Sequence, residues 1–485
     1  MIAKPKDGII KPPPGKIFIR LSFLLCACYW LFCLLIAQPA VVYDSLSYEY
    51  LGGMIAQKGL LEYFKTGPNR ELLYPLLVAL SMKVGAAIAV SYQTILFILQ
   101  LAVLLTAQCL TLKILRKLEI PPALTAAIIL YEGISPVMFT SAFRVYSEII
   151  TFPLMALLIL TSVMAWEGLH RTKILACKNG ALWGLSFALI VFAKGIFEMI
   201  APVFLLPFIF HTLLAGAKKN KTVFLNGIIL LSAFYAVFSV PIVTVKSLNK
   251  KYNGNYTFTN RGAWALYGNT ARRMEPLTPE RLLTALAYVP GWGTCHSLFG
   301  PEACRFWSYL PSDDLGAKMR QKLVDEGFSN DALNKKLISL SIQKAISNPP
   351  QYILLTFIEG LKMLFWDSLD IGITIFPEPV MAAYQNALLK KMIYFFMAPL
   401  TLLSLLYLYF YLWKRRAEIF LPAASSPTLL FFLLYLAVIY IAAHSIFYID
   451  PRYSYPLAPL YLIGIAVFLQ GLGNLLRKQL FDHRP

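Results

Sequence analysis

Charged residues are scarce in this chain of 485 residues. Only 14% are Asp, Glu, Lys or Arg, whereas about a quarter are charged in typical soluble domains. Apolar residues make up 58% of the chain and the mean hydropathy is +0.62, with apolar runs along the whole length. This pattern excludes a disordered chain, a coiled coil and a soluble enzyme with a single anchor, and it predicts a polytopic membrane protein.

Histidine and nucleotide-binding motifs are also lacking. Five scattered His residues argue against a zinc site, which needs several converging ligands. The sequence has no Walker loop, no dinucleotide-binding glycine pattern and no Gly-x-Ser-x-Gly motif. The net charge of +19 indicates no nucleic-acid partner, because much of it lies in short basic clusters between apolar runs.

Apolar runs long enough to cross a bilayer predict an all-α bundle of about 10–11 transmembrane helices. The predicted crossings are residues 17–37, 90–112, 122–140, 149–166, 180–193, 200–214, 223–245, 392–413, 429–447 and 453–470. The basic N-terminal tail predicts a cytoplasmic N-terminus. Five further basic clusters then return to the cytoplasmic side: 113–117, 171–173, 218–221, 414–416 and 477–478.

This topology divides the chain into five predicted parts. They are a cytoplasmic tail (1–16), a first transmembrane module (17–245) with an outer loop at 40–89, a long outer-face segment (246–391), C-terminal transmembrane helices (392–471) and a cytoplasmic tail (472–485). Segments 71–84 and 351–366 are apolar but contain ionised groups, so we expect interfacial or re-entrant helices there. Whether 351–366 crosses the membrane stays open.

Candidate functional residues lie at helix mouths on the predicted outer side. Asp44 follows the first crossing, where it either caps the next helix or serves as a functional carboxylate. Arg144 and Glu148 have the spacing of a helical ion pair, which is worth only a few tenths of a kcal/mol. Placing Glu148 at the edge of hydrocarbon costs several times that, so we favour a functional cavity.

Basic residues on the same side suit an anionic ligand. Lys194 interrupts an apolar hairpin, where it either snorkels to the interface or meets an anionic head group. Arg452 has the planar pair of donors that suits phosphate, although a surface pair with Asp450 is the alternative. Arg70 and Glu71 stand side by side before a proline-started helix.

Several short motifs, all on the predicted outer side, together resemble GT-C type glycosyltransferases, including lipid A aminoarabinose transferases and protein O-mannosyltransferases. The motifs are Tyr43-Asp44-Ser45-x-x-Tyr48, Arg70-x-x-Leu-Tyr74-Pro75, Ser135-Pro136 with Tyr146-Ser147-Glu148, and Arg452-Tyr453-x-x-Pro456-x-x-Pro459. In the long outer segment, Asn260-Arg-Gly262, Leu266-Tyr267-Gly268-Asn269 and Asn348-Pro349-Pro350-x-Tyr352 are similar to bacterial members.

The resemblance implies a GT-C-like bundle in a bacterial inner membrane, with residues 17–245 as its catalytic module. It implies a polyprenyl-phosphate sugar donor and a glycan, lipid or protein acceptor. The implied roles are catalysis for Asp44 and Glu148, donor-phosphate binding for Arg452, Lys194 and Arg70, and substrate binding for Glu71, Arg144 and Tyr453.

The resemblance implies no certain cofactor, because the phosphosugar bond is already activated and needs no ATP. A divalent cation stays open, although many relatives have paired acidic residues where this chain has Asp44-Ser45. Two other functions are considered: a secondary transporter of an anionic or sugar substrate, and a non-catalytic binder of lipid head groups. Transporters favour internal repeats and charges at the bilayer midplane, and this sequence has neither.

Two cysteines of the long outer segment, Cys295 and Cys304, are separated by a short loop that contains Gly-Pro. An oxidising outer compartment would allow them to form a disulfide. We therefore predict this pair as the disulfide of the outer segment, with two unpaired thiols as the alternative.

Overall fold

The computed structural model describes residues 14–42, 44–67, 70–259, 261–366, 374–421, 425–447, 449 and 451–482. An apolar chain in hydrocarbon must satisfy its backbone groups internally, and the described residues are accordingly almost all helical. The exception is one antiparallel pairing of two-residue strands, β1 (Gln38–Pro39) with β2 (Thr374–Ile375). The prediction of an all-helical polytopic membrane protein is confirmed.

The N-terminal part contains seven helices. They are α1 (Pro14–Ile36), α2 (Asp44–Lys58), α3 (Leu60–Thr66), α4 (Leu73–Ala87), α5 (Tyr92–Lys117), α6 (Pro122–Ile134) and α7 (Pro136–Ser141). Helices α1 and α6 pack against each other, and the indole N–H of Trp30 donates to the Gly133 carbonyl at 2.7 Å across this contact. Residues Glu71–Leu72, just before α4, have no helical structure.

The predicted crossing 122–140 is a broken one. It consists of the 13-residue α6 and the 6-residue α7, separated at Ser135. A residue before proline is disfavoured in helical conformation, and Ser135 is extended and caps α7 with its hydroxyl, 3.3 Å from the Met138 amide. Neither piece is as long as a full crossing.

Four long apolar helices follow: α8 (Glu148–Leu169), α9 (Lys173–Ala193), α10 (Phe197–Ala217) and α11 (Lys221–Asn253). Helix α8 is the centre of the bundle, since 89% of the residues in its apolar stretch are buried by neighbouring parts of the protein. It packs against α5, α9, α11 and two C-terminal helices given below. A helix that is apolar on all sides is expected at such a buried position.

The next segment folds into short amphipathic helices. They are α12 (Gly262–Arg273), α13 (Pro279–Ala287), α14 (Trp292–Arg305), α15 (Tyr309–Asp325), α16 (Asn330–Ser347), α17 (Pro349–Gly360), a 3-10 turn (Leu361–Leu364) and α18 (Glu378–Gln385). Helix α14 is kinked at Gly300, whose φ of 81° favours glycine. The kink brings Cys295 and Cys304 together, and the structure contains the predicted disulfide between them.

The C-terminal part returns to long apolar helices. They are α19 (Ala387–Lys414), the short α20 (Arg416–Ile419), α21 (Ser426–Phe447), a 3-10 turn (Pro451–Leu457) and α22 (Ala458–Asp482). Helices α21 and α22 both pack against α8 and complete its burial.

Nine helical stretches among the described residues are long and apolar enough to cross a membrane by their length and composition. They lie in α1, α5, α8, α9, α10, α11, α19, α21 and the final stretch Arg452–Gln479. The predicted crossing 122–140 is not among the nine because it is divided between α6 and α7, although it has to return the chain from the end of α5 to the cavity side at the start of α8. Segments 71–84 and 351–366 are not among the nine, although α4 is a shorter apolar helix.

Candidate active site

One cavity of about 590 Å³ opens where α2, the start of α8, the α9–α10 junction and the turn after α21 meet. It is lined by seven of the eight residues that the sequence singled out for chemistry or binding. These are Asp44, Arg70, Glu71, Glu148, Lys194, Arg452 and Tyr453. Residues far apart along the chain therefore converge at one end of the apolar bundle.

Asp44 lies between two guanidinium groups in this cavity. Arg452 Nη2 is 2.9 Å from Asp44 Oδ2, and Arg70 Nη2 contacts Asp44 Oδ1. Partial burial raises the pKa of Asp44, but the positive charges of Arg452 and Arg70 outweigh it and lower this pKa to about 2. Asp44 is therefore a carboxylate at neutral pH. Asp450, the alternative partner of Arg452, lies outside the described residues.

Tyrosine rings support both arginines. The Arg70 guanidinium lies 5.2 Å from the centroid of the Tyr48 ring, and the Arg452 guanidinium lies 5.8 Å from that of Tyr146. The Tyr48 hydroxyl is 3.0 Å from Ser147 Oγ, which ties α2 to the start of α8. These contacts hold two planar cations at fixed orientations around one carboxylate.

Glu148 and Lys194 form the second charged pair of the cavity. Lys194 Nζ is 2.8 Å from Glu148 Oε1, and both side chains are buried. Glu148 is the first residue of α8, where the amide groups of the first helical turn favour a negative charge. Burial lowers the pKa of Lys194, but the Glu148 carboxylate outweighs this and raises it above its ordinary value. Lys194 is thus a cation held beside the cavity.

Glu71 and Tyr453 complete the predicted set within the cavity. The Gly195 amide donates to Glu71 Oε1 at 3.0 Å, which joins the start of α4 to the α9–α10 junction. The Tyr453 ring stacks on His444 with 5.0 Å between centroids, and Lys194 Nζ lies 5.7 Å from the same ring. An aromatic face beside charged groups is a surface on which a sugar ring can rest.

Arg144 is not among the residues that line the cavity. Its backbone carbonyl accepts hydrogen bonds from the Tyr74 hydroxyl at 3.2 Å and from Gln100 Nε2 at 3.0 Å. The described contact of Glu148 is with Lys194 and not with Arg144 four residues earlier. The predicted substrate role of Arg144 therefore stays a prediction without support from the cavity.

Three further charged residues line the cavity and were not predicted from the sequence: Glu198, Lys246 and Arg261. Lys246 forms an ion pair with Glu198, and Arg261 adds positive charge near Asp44. The only sequence signal for Arg261 is its place in the Asn260-Arg-Gly262 motif. No local pattern pairs Glu198 with Lys246, because one lies in α10 and the other in α11.

A second buried cluster lies beside the cavity and has an excess of positive charge. The Glu359 carboxylate contacts Arg272, Arg273 and Lys362, the last with 3.3 Å between Nζ and Oε1. Arg273 Nη2 also donates to the Ser445 carbonyl at 2.6 Å. The cluster thus fixes α12 and α17 to the end of α21, where His444 lines the cavity.

Two pKa values in the cluster depart from their usual range. Burial lowers the pKa of Lys362 to about 8, against the opposing effect of Glu359. Burial raises the pKa of Glu359, but the charges of Arg272 and Arg273 outweigh it and hold that pKa well below normal. Sequence patterns indicate only the separate halves of this cluster, the Arg272-Arg273 pair and the i,i+3 pair Glu359–Lys362.

Metal ligands do not converge within the described ranges, where no group of three or more His, Cys, Asp or Glu side chains could hold an ion. The cavity instead combines cations that suit a phosphate with carboxylates that can accept a proton or hydrogen-bond a hydroxyl.

The chain matches no protein-family model and no curated protein in sequence. The chemistry of the cavity is therefore the basis for assigning a function.

Proposed function

We propose that the protein transfers a sugar from a polyprenyl-phosphate carrier to an acceptor hydroxyl on the outer, periplasmic or lumenal, side of the membrane. The observation that carries this proposal is the position of Asp44 between Arg452 and Arg70, beside the Lys194–Glu148 pair, at one end of an apolar bundle. A lipid-linked phosphate needs cations at the end of an apolar path. A hydroxyl acceptor needs a carboxylate within reach.

The donor phosphate is assigned to Arg452, Arg70 and Lys194. Guanidinium groups donate planar pairs of hydrogen bonds to phosphate oxygens, and an ammonium adds a compact charge. As the bond to the sugar breaks, negative charge accumulates on the departing phosphate. The same three cations then stabilise it more strongly than they stabilise the ground state.

Asp44 is proposed as the general base. With a pKa of about 2 it is a weak base while both arginines hold it. A donor phosphate competes for Arg452 and Arg70, so burial is then opposed by less positive charge and the pKa of Asp44 rises. Donor binding would thus convert an inert carboxylate into one that accepts a proton.

In the proposed step the acceptor oxygen attacks the anomeric carbon of the sugar. The bond from that carbon to the phosphate oxygen breaks, and polyprenyl phosphate leaves with the electron pair. The hydroxyl proton passes to Asp44, and the configuration at carbon inverts. Glu148 orients Lys194 and offers a second carboxylate to a sugar or acceptor hydroxyl.

The proposed assembly is a GT-C-like enzyme of a bacterial inner membrane, as the motif resemblance implies. Its partners are a lipid-phosphosugar, membrane lipids and a glycan, lipid or protein acceptor. The transfer reaction needs no ATP because cleavage of the phosphosugar bond of the donor supplies its driving force.

The test is transfer by purified full-length protein in lipid vesicles. Polyprenyl phosphates carrying tritiated hexoses or pentoses are supplied one at a time with envelope extract as the acceptor source. Label that moves to an extract component and is absent with Asp44→Asn supports the proposal. Label carried across sealed vesicles without transfer would indicate a transporter, and saturable binding without either would indicate a head-group binder.

Mass spectrometry narrows the choice of substrate before this assay. Lipids and envelope glycans from cells with and without the gene are compared, and a mass difference of one sugar residue identifies the acceptor and the class of sugar, such as hexose or pentose. No such difference under any growth condition would count against transfer.

A further inference from the structure

A second pocket, of about 330 Å³, lies next to the cavity and shares with the proposed donor site only Arg70. We call it the arginine pocket. It is lined by Ser47, Tyr50, Leu51, Arg70, Arg261, Trp264, Ala317 and Arg320. Three of these eight residues are arginines and none is acidic.

The arginine pocket is built on a close contact between α12 and α15. A Cβ added at Gly268 would lie 1.9 Å from the Ser312 carbonyl oxygen, and one added at Gly316 would lie 2.5 Å from that of Trp264. Both glycines let the backbones approach, as small residues do wherever helices pack closely. This contact places Arg261 and Trp264 of one wall opposite Arg320 of the other.

The charge of the arginine pocket is only partly compensated. Arg70 pairs with Asp44, whereas within the described ranges no ion pair involves Arg261 or Arg320. Both side chains are solvent-exposed at this pocket, where an anion can reach them and accept bidentate hydrogen bonds from a guanidinium group. Phosphate and carboxylate are the groups with that geometry.

The arginine pocket and the cavity share Arg70 and Arg261 as lining residues. Because Arg70 contacts Asp44, a molecule whose anionic group lies in the arginine pocket can extend into the cavity next to Asp44. The donor phosphate already occupies the cations of the cavity in the proposed mechanism. The second anion is then on the other substrate.

We propose that the arginine pocket binds a phosphate or carboxylate carried by the acceptor, so that the acceptor is an anionic glycan or lipid. This inference rests on the proposed function. Arg320 recognises the acceptor without touching the reacting atoms, and Trp264 offers a ring face to the adjacent sugar. A second phosphate on the donor has the same chemistry and is distinguished by the kinetics below.

The first test does not depend on transfer. Full-length protein in detergent is treated with phenylglyoxal, which modifies arginines, with and without inorganic phosphate, and each site is followed by mass spectrometry. Phosphate at ten times its dissociation constant should slow modification of Arg320 by about tenfold and leave unaffected Arg305, which is equally exposed but lines neither the pocket nor the cavity. A rate of modification at Arg320 that does not change with phosphate concentration would overturn the arginine pocket as an anion site.

The second test measures which substrate the pocket binds. The transfer assay is run with untreated, phosphatase-treated and methyl-esterified acceptor extract. Arg320→Gln should raise the acceptor KM by about tenfold and leave the donor KM unchanged. The wild-type protein should prefer acceptor extracts that still carry the phosphate or carboxylate, and Arg320→Gln should lose this preference. Arg320→Lys should recover part of the loss, and Lys322→Gln on the same helix is the matched control.

The outcomes separate the two proposals. No transfer by the wild-type protein would refute the proposed function, while the phenylglyoxal result would still decide whether the pocket binds anions. With transfer intact, a rise in donor KM for Arg320→Gln would assign the pocket to the donor. Equal use of all three extracts by the wild-type protein would also overturn an anionic acceptor.

Discussion

Asp44 is the single residue whose charge the proposed chemistry requires most directly. Asp44→Asn keeps the size of the side chain and its ability to begin α2, but it removes the proton acceptor. We expect transfer to fall by about a hundredfold or more, and the melting temperature to fall modestly because the ion pairs with Arg452 and Arg70 are lost. Donor affinity should hold or improve, because Arg452 and Arg70 no longer have a competing carboxylate.

Glu148→Gln is the companion to that measurement. A larger loss of transfer at Glu148 than at Asp44 would exchange their roles. Activity that survives both changes would refute the carboxylate mechanism.

Substitutions of Arg452 test whether its planar pair of hydrogen-bond donors matters in addition to its positive charge. Arg452→Lys retains one positive charge, but an ammonium cannot make two parallel hydrogen bonds to a phosphate, and it loses the contact with the Tyr146 ring. The donor KM should rise by about tenfold. Thermal melting must first show that the variant is folded, and wild-type kinetics in Arg452→Ala would remove Arg452 from the site.

The buried cluster around Glu359 predicts a contrast between two substitutions. Glu359→Gln leaves three buried cations without their counter-charge and should lower stability by about 3–5 kcal/mol. Lys362→Met removes one excess cation and should cost far less. Melting curves of purified protein in detergent measure both, and equal losses would contradict this assignment of charge.

The same cluster predicts the sign of a pH effect. The pKa of Lys362 is about 8 in the folded protein and about 10.5 when exposed, so the unfolded state binds more protons between these values. Stability from this group therefore increases as pH rises through that window. The melting temperature of the wild type relative to Lys362→Met should increase from pH 7.5 to pH 9.5.

At the scale of secondary-structure elements, the contact of α12 with α15 depends on glycine. Gly268→Ala would place a methyl group against the Ser312 carbonyl and should destabilise the protein by about 2 kcal/mol or more. Gly262→Ala in the same helix meets no atom within 4 Å and should be neutral or slightly stabilising. Equal melting temperatures for the two variants would show that the helices readily move apart.

The sequence predicts most long helices because hydropathy is a local property, but it does not predict breaks or tertiary partners equally well. The crossing at 122–140 is broken by Ser135-Pro136, whose effect hydropathy averages do not register. The predicted crossings are shorter than α9 and α11 because α9 already begins with residues 173–179 and α11 continues through residues 246–253, where charged side chains lower the mean hydropathy.

For the candidate site as well, the sequence predicts features that depend on local patterns but not contacts that depend on the tertiary fold. Asp44, Glu148 and Arg452 could be grouped from sequence because each adjoins a crossing at the same predicted side. The pairing of Glu148 with Lys194 could not be predicted from sequence, because the two residues come into contact only when α8 packs against α9. Arg320 lies on a polar helix, where neither hydropathy nor charge patterning distinguishes a pocket from an exposed surface.

For the whole molecule, the orientation in the membrane is the prediction on which the others depend. Cys177 is exposed near the predicted cytoplasmic end of α9, and Lys335→Cys adds a thiol to the long outer segment. With the other exposed cysteines replaced by serine, an impermeant maleimide applied to intact spheroplasts should label only the thiol at position 335. Labelling of Cys177 instead of position 335 would show that the protein has the opposite orientation in the membrane.

The burial of α8 has a consequence for biosynthesis. Its neighbours α5 and α9 are made close to it in time, but α21 and α22 cover it only after more than half of the chain has followed. The cavity has the same delay, because Asp44, Glu148 and Lys194 emerge early and Arg452 near the end. A nascent chain in the membrane therefore carries the carboxylates of the cavity long before Arg452 joins them, and the cavity is complete only when synthesis is almost finished.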